Sequence, residues 1–145
     1  MSVEYVRRAQ EIAAQVLAQA VEVEDGSLSW NRGYGARFQR VDDAGIFNGR
    51  IGEALFLAAL HASTGDPAAR EAALRAVAPL RARVRAPGST AALAEEIGFG
   101  LTGVGAVIYA LVRIGRFLDE PALLEDARAL AAGLTPGLVR QDEKL

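Results

Sequence analysis

The residue types that most often carry out chemistry are scarce in this chain. Cysteine is absent, and His61 is the only histidine among 145 residues. Without a thiol the chain has no cysteine nucleophile and no thiolate metal ligand, and a single histidine does not make a zinc site. No constellation of serine, histidine and aspartate for nucleophilic catalysis presents itself, and Asp42-Asp43 is typical of a turn. The composition therefore argues against the common catalytic and metal sites.

Two Gly-x-x-Gly motifs, at 49–52 and 100–103, are the next candidates for a binding site. Each precedes an apolar helical stretch, and the N-terminus of a helix attracts anions such as phosphate. However, no P-loop lysine follows either motif and no strand precedes it. The alternative that we favour is structural: glycine in the first turn of an apolar helix lets neighbouring backbones approach closely.

Four polar or aromatic residues on these apolar helices are candidates for contact with a peptide: Arg50, Glu53, Tyr109 and Arg113. Glu53 is a carboxylate on an otherwise apolar helix. It either forms a solvated ion pair with Arg50 or faces the central cavity of a ring of helices. Tyr109 and Arg113 are spaced i,i+4 and share one helical face. Ordinary packing with a surface arginine is the structural alternative for this second pair.

The elements that carry these residues form an internal repeat. Shifting 49–60 by 51 residues superimposes the two Gly-x-x-Gly motifs and aligns Leu57, Ala59 and Leu60 with apolar residues of the second copy. Each copy is followed by an acidic residue, a proline and a second, more charged helical stretch. A segment repeated in this way indicates an architecture of supersecondary units, and the unit predicted here is an antiparallel helical hairpin.

The predicted order is a helix over 2–24, a glycine-rich and aromatic loop over 26–48, a hairpin over 49–85, a linker over 86–99, a hairpin over 100–135 and a tail over 136–145. Asp25-Gly26 is expected to end the first helix, and a short hairpin is expected near 31–40. The inner helices of the two hairpins are predicted at 49–64 and 102–118, and the tail is predicted to have no helix of its own.

Prolines and a threonine refine these boundaries. Pro67 and Pro121 suit the first turn of the two returning helices. Pro79 is expected to kink its helix or end it early. Thr90 is expected to cap a short helix that runs to Ile97.

Charge and hydropathy limit the classes of partner. The chain is about one domain long, and its 16 basic and 18 acidic residues are interspersed, with a net charge of −2. No basic stripe indicates nucleic acid, because Arg81, Arg83 and Arg85 are better interpreted as a solvated face near a helix C-terminus. No signal peptide is recognisable, and no apolar run reaches the roughly 20 residues of a membrane span. We therefore expect a cytoplasmic protein without nucleic-acid or membrane partners.

Several segments, in order, carry a resemblance to a known family. They lie at 28–30, 47–52, 54–60, 64–67, 100–111 and 123–128. Together they resemble the cyclase domain of lanthionine synthetases, the LanC-like family, and in particular the C-terminal cyclase half of the class II, LanM-type lanthipeptide synthetases. The resemblance covers nearly the whole chain. Two positions depart from the family: Phe47-Asn48 replaces its usual tyrosine-aspartate, and Glu53 replaces an apolar residue.

The resemblance implies an all-α fold in which antiparallel hairpins form part of an α/α toroid. In that family the toroid surrounds a zinc ion held by two cysteines and one histidine. The zinc activates a cysteine thiol of a ribosomal precursor peptide, which adds to a dehydrated serine or threonine to form a thioether. The family's zinc ligands lie in later repeats of the toroid, so no catalytic or metal-binding residue is carried over to this chain.

We therefore expect residues 1–145 to form a single incomplete LanC-like domain, truncated or split off from its parent cyclase. The isolated chain is expected to bind no cofactor and to have no cyclase activity. Its expected partners are a precursor peptide, the remainder of the cyclase domain, or further copies of itself.

Two alternatives belong to other classes. One is a non-enzymatic helical module that binds a peptide or protein or associates with itself, because part of a toroid exposes the flanks of its inner helices. The other is an α-solenoid scaffold of the tetratricopeptide kind, which the 51-residue offset disfavours because those repeats have a period of about 34 residues.

Overall fold

Helices joined by short turns make up most of the fold, and the computed structural model describes residues 3–30, 44–47 and 49–142. The described elements are α1 (Val3–Ala18), β1 (Val21–Glu22), β2 (Leu28–Ser29), α2 (Arg50–Thr64), α3 (Pro67–Val84), α4 (Ser89–Ile97), α5 (Val104–Phe117), α6 (Pro121–Ala132) and α7 (Pro136–Asp142). The predicted all-α class is confirmed. The hairpin expected near 31–40 lies outside the described residues, as do Tyr34 and Phe38 of the aromatic loop.

Two helical hairpins form the centre of the structure, as the repeat predicts. α2 packs against α3, α5 packs against α6, and the two hairpins meet through α2 and α5. Gly65 ends α2 in the left-handed conformation, with φ of 73°. The Asp66 carboxylate then accepts hydrogen bonds from the N–H groups of Ala68 and Ala69, with Pro67 in the first turn of α3. The sharp reversal between the helices is therefore encoded locally.

The two hairpins run in the same direction. Arg70, near the start of α3, forms an ion pair with Glu120 at the start of α6, with an N–O distance of 3.3 Å. Further along both helices, Arg81 lies 2.7 Å from Asp126. Since α3 and α6 are parallel, their antiparallel partners α2 and α5 are parallel too. The two Gly-x-x-Gly motifs therefore lie at the same end of the helical layer.

The core lies between the hairpins. Its largest fully buried side chains include Ile51 and Leu57 of α2, Leu80 of α3 and Leu111 of α5. Alanines at 54, 58 and 110 are fully buried as well, and such small residues let helix axes come close together. Among the described helices, none is both long and apolar enough to cross a membrane.

The first helix is shorter than predicted. α1 ends at Ala18, and the following residues pair as the two-residue strands β1 and β2. Asp25-Gly26 forms the turn of this small hairpin: the Asp25 carboxylate accepts the N–H of Ser27 at 2.9 Å, and Gly26 has φ of 78°. The hydrogen bonds from the side chain and backbone of Ser27 hold the pKa of Asp25 below its usual value. The turn motif was recognised correctly, but it closes a hairpin rather than a helix.

Toward the C-terminus, α3 ends at Val84, close to the predicted residue 85. Of the two outcomes expected at Pro79, an early end does not occur, because Val77, Leu80 and Val84 are buried on either side of the proline and hold the helix together. Two other predictions are wrong. α4 begins at Ser89 after Gly88, so Thr90 is not its cap. The tail predicted to lack a helix contains α7, with Pro136 in its first turn.

Candidate functional site

The two Gly-x-x-Gly motifs are close-packing devices. In both, the N–H of the second glycine donates to the carbonyl of the first, at 3.1 Å in the first motif and 3.0 Å in the second. A Cβ atom on Gly52 would collide with the carbonyl oxygen of Ile46, and one on Gly103 with that of Gly98. Because a backbone carbonyl already fills the space beside each glycine, the structural interpretation accounts for both motifs.

Arg50 serves the interior of the fold. It is the first residue of α2, and its Nη1 atom donates to the hydroxyl of Ser27 at 3.2 Å and to the carbonyl of Leu28 at 3.3 Å. The side chain therefore ties the small β-hairpin to α2. This contact joins residues more than twenty positions apart in sequence, so spacing alone could not predict it.

Glu53 is buried, with 9% of its surface exposed. The interpretation of Glu53 as part of a solvated ion pair is therefore wrong. It lies on the same side of α2 as Leu57 and Leu60, which are also buried. The structure thus places Glu53 among buried apolar side chains and Arg50, which is half-buried, against the β-hairpin.

Tyr109 and Arg113 do lie together at the surface of α5. The side chain of Tyr109 is 53% exposed, and the Arg113 guanidinium carbon lies 4.6 Å from the centre of the Phe117 ring. This distance is within the range of a cation–π interaction. Tyr109, Arg113 and Phe117 follow one another at intervals of four residues and form what we call the α5 face. The α5 face offers a ring edge, a hydroxyl and a guanidinium to a ligand.

An apolar groove lies between α1 and α2. It has a volume of about 180 Å³ and is lined by Tyr5, Val6, Ala9, Phe56, Ala59, Leu60 and Ser63. Of the residues of α1, only Ala13 is buried. The Trp30 indole N–H donates to the carbonyl of Val16 at 2.7 Å and attaches the C-terminal half of the helix. The groove is open at the N-terminal half of α1, where no comparable attachment is described.

A buried charge cluster was missed by the sequence analysis. The Asp126 carboxylate, 5% exposed, accepts hydrogen bonds from Arg81 at 2.7 Å and from Arg85 at 2.9 Å. Arg83 pairs with Glu96 at 2.5 Å instead. The three arginines are therefore not simply a solvated face, because each binds a carboxylate on another helix. Nearby, the buried hydroxyl of Thr90 donates to the carbonyl of Leu130 at 3.1 Å.

The described residues contain no group of three histidine, aspartate or glutamate side chains close enough to hold a metal ion, and the full sequence supplies no cysteine. The ring nitrogen Nδ1 of His61 lies 2.8 Å from the carbonyl oxygen of Asp66. Nδ1 therefore carries a proton and donates to that carbonyl, which gives the histidine a structural role at the end of α2.

Comparison with known proteins adds no relative. No protein-family model, no curated protein and no solved structure matches this chain.

Proposed function

We propose that this chain is a LanC-like segment that holds a ribosomal precursor peptide and does not itself catalyse thioether formation. In this proposal its two hairpins form part of the wall of an α/α toroid, with α2 and α5 as inner helices. The zinc chemistry of lanthionine synthesis would then be done by residues that this chain does not contain, since it has no cysteine and its one histidine binds a backbone carbonyl.

The observation that carries the proposal is the repeated construction of the two hairpins. Each inner helix begins at a glycine turn packed on a carbonyl oxygen, and each is followed by a helix with proline in its first turn. The ion pairs between α3 and α6 set the two hairpins side by side and parallel. Such a ladder of equivalent hairpins is what a toroid of this family would require.

The α5 face is the proposed contact for the peptide. Arg113 offers a cation for a carboxylate side chain or a backbone carbonyl, and Tyr109 offers a ring that is 53% exposed. Exposed tyrosine and arginine are the residue types that most often dominate binding to peptides and proteins. Arg50 and Glu53, which were equal candidates on sequence grounds, are assigned to the interior of the fold instead.

Peptide binding tests this proposal directly. The probe is a fluorescent synthetic peptide with one cysteine, one dehydroalanine and several acidic residues, titrated with the purified chain and followed by fluorescence anisotropy. Wild type is expected to bind, and Tyr109→Ala and Arg113→Ala are each expected to weaken binding by about tenfold. Phe47→Ala and Arg128→Ala are matched controls, because both side chains are exposed and neither belongs to α5 or to the groove. Absence of binding by wild type, or equal losses in the controls, would refute the proposal.

A second candidate function is a non-enzymatic module that associates with protein surfaces. The groove between α1 and α2 favours it, since it is lined almost entirely by apolar side chains and is open to solvent. In this case the partner would bind in the groove, so Ser63→Arg would weaken binding and Arg113→Ala would not. The proposed function predicts the opposite result in the same titration.

A further inference from the structure

The internal repeat allows α2 and α5 to be compared position by position. The residues of α2 that line the groove are Phe56, Ala59, Leu60 and Ser63, and their equivalents 51 positions later are Val107, Ala110, Leu111 and Ile114. All four equivalents on α5 are fully buried. Of the four groove residues on α2, only Leu60 is buried; Phe56 and Ala59 are half-buried, and Ser63 is exposed. The same side of the two helices is thus covered in the second copy and partly open in the first.

The packing of α5 shows what covers this side. Gly115 faces α6, since a Cβ atom there would lie 3.1 Å from the Cβ of Leu123. Val107, Ala110 and Ile114 lie roughly a quarter of a turn away around the helix. Besides α6, the helix that packs most extensively against α5 is α2. In the second copy of the repeat, α2 therefore buries these positions. In the first copy α1 lies at the equivalent place and leaves the groove open.

On the opposite side of the two helices the difference in burial is reversed. Ala54, Leu57 and Ala58 of α2 are fully buried, on the side of the helix away from the groove. Their equivalents on α5 are Gly105, Ile108 and Tyr109, which we call the α5 flank. Gly105 and Tyr109 are exposed and Ile108 is half-buried. In the described part of the chain, the α5 flank lacks the helical neighbour that the same flank of α2 has.

We propose that the α5 flank of one copy of this chain docks into the groove between α1 and α2 of a second copy. Because α1 already covers part of this side of α2, the contact would insert the exposed side chain of the α5 flank beside α1 and would reproduce only part of the packing that joins α2 to α5 within one copy. The inference stands on the repeat and its burial alone, and does not depend on the proposed function. It commits to a second copy because this chain carries both halves of the interface, the open groove and the helix flank that matches it.

The size and lining of the groove fit this occupant. Its volume of about 180 Å³ is below the roughly 300–1,000 Å³ of small-molecule pockets, so a single inserted side chain suits it better than a whole ligand. Tyr109 is the most exposed large side chain of the α5 flank. Its ring would meet Tyr5 and Phe56, and aromatic pairs stabilise contacts beyond the area that they bury.

The two surfaces of this contact are different, so the association is heterologous. A heterologous contact leaves one groove and one flank free after each addition, and the assembly grows until it closes into a ring or extends as a filament. The predicted behaviour is therefore association beyond a dimer as the concentration rises. Each further copy would add through the same contact.

Sedimentation velocity tests the proposal on the whole chain. Wild type is expected to form species larger than a monomer as its concentration is raised to about 1 mM. Ser63→Arg blocks the mouth of the groove and Tyr109→Asp places a charge on the flank, so each is expected to weaken association at least tenfold. Ala129→Arg is the matched control, since it adds the same side chain at an exposed position of α6. Circular dichroism checks that all three variants stay helical.

Mixing the two variants gives the decisive result. Tyr109→Asp keeps an intact groove and Ser63→Arg keeps an intact flank, so equal amounts of the two are expected to form a one-to-one dimer that grows no further. A monomeric wild type, or a mixture in which the two variants do not combine, overturns the proposal. Ser63 is outside the α5 face, so Ser63→Arg is expected to retain binding of the acidic peptide. If wild type associates but does not bind the peptide, that result counts against the proposed function alone.

Discussion

The Nε atom of Arg81 donates a hydrogen bond of 2.7 Å to the carboxylate of Asp126 and so joins α3 and α6, the second helices of the two hairpins. Arg85 binds the other oxygen of the same carboxylate at 2.9 Å. With 5% of its surface exposed, Asp126 has lost most of its water, and the two charged donors compensate for that loss. The cluster fixes the register of α3 against α6.

Removal of the Asp126 carboxylate should therefore destabilise the fold strongly. Asp126→Ala leaves the half-buried Arg81 without its carboxylate partner. We expect a loss of about 3 kcal/mol in the free energy of unfolding, the low end for breaking a buried ion pair, because both arginines keep some hydration. Urea denaturation measures this value. The control is Glu125→Ala, an exposed neighbour on the same helix for which we expect a change within about 0.5 kcal/mol. Equal effects of the two substitutions would show that the cluster does not hold the hairpins together.

The glycine turns give a second prediction. Gly103→Ala forces a Cβ atom against the carbonyl of Gly98, and since a backbone atom cannot move aside easily, we expect a loss of about 1–3 kcal/mol. Gly100→Ala is the matched control, because the space beside Gly100 contains no atom within 4 Å. Thermal denaturation measures the stability of the two variants. If Gly103→Ala is tolerated as well as Gly100→Ala, close packing is not the reason for the motif.

Features encoded locally were predictable from the sequence. Pro67 marks the first turn of α3, and the Asp25-Gly26 pair marks a tight turn, because short-range sterics and hydrogen bonds decide both. The end of α1 was wrong by six residues, at Ala18 rather than at residue 24, because strand pairing with Leu28–Ser29 overrides the helical pattern. The role of Thr90 was also wrong, since its hydroxyl bonds a carbonyl 40 positions away.

The candidate site was only partly predictable for the same reason. The spacing of Tyr109 and Arg113 placed both on one face of a helix, and the structure agrees, with Arg113 stacked on Phe117. For Arg50 and Glu53, sequence spacing could not distinguish a role in peptide binding from a role inside the fold. Their contacts depend on the β-hairpin and on burial between helices, which only the tertiary arrangement reveals.

The attachment of α1 through Trp30 leads to a third prediction. Trp30→Phe keeps a ring in the core but removes the N–H that donates to the carbonyl of Val16. That carbonyl keeps its bond from the N–H of Gln19, so we expect the loss of one hydrogen bond, about 0.5–1.5 kcal/mol. We expect faster amide hydrogen exchange throughout α1 than in α5, measured by mass spectrometry. Phe47→Leu, at a side chain that is 67% exposed, should leave exchange in α1 unchanged. Uniformly faster exchange in both helices would show that Trp30 supports the whole core instead.

The turn at Asp25 gives a prediction about pH. The hydrogen bonds from Ser27 lower the pKa of Asp25 below 3.8 in the folded state. A lowered pKa stabilises the fold above the pKa of the unfolded chain, and this contribution is lost as the pH falls through the lower, folded value. NMR titration should find the Asp25 carboxyl titrating below 3.8. Ser27→Ala should raise its pKa part of the way back, since the backbone N–H of residue 27 remains. An unchanged pKa in Ser27→Ala would contradict this assignment.

Thioether formation is the most direct test of the claim that this chain holds a peptide without transforming it. The purified chain is incubated with Zn²⁺ and the peptide that carries one cysteine and one dehydroalanine. Because addition of the thiol leaves the peptide mass unchanged, the free thiol is counted by alkylation followed by mass spectrometry. We predict that the peptide binds and that its thiol stays alkylatable to the same extent as in a sample without protein. Loss of the alkylatable thiol beyond that control would show that the chain is itself a cyclase and would contradict the account.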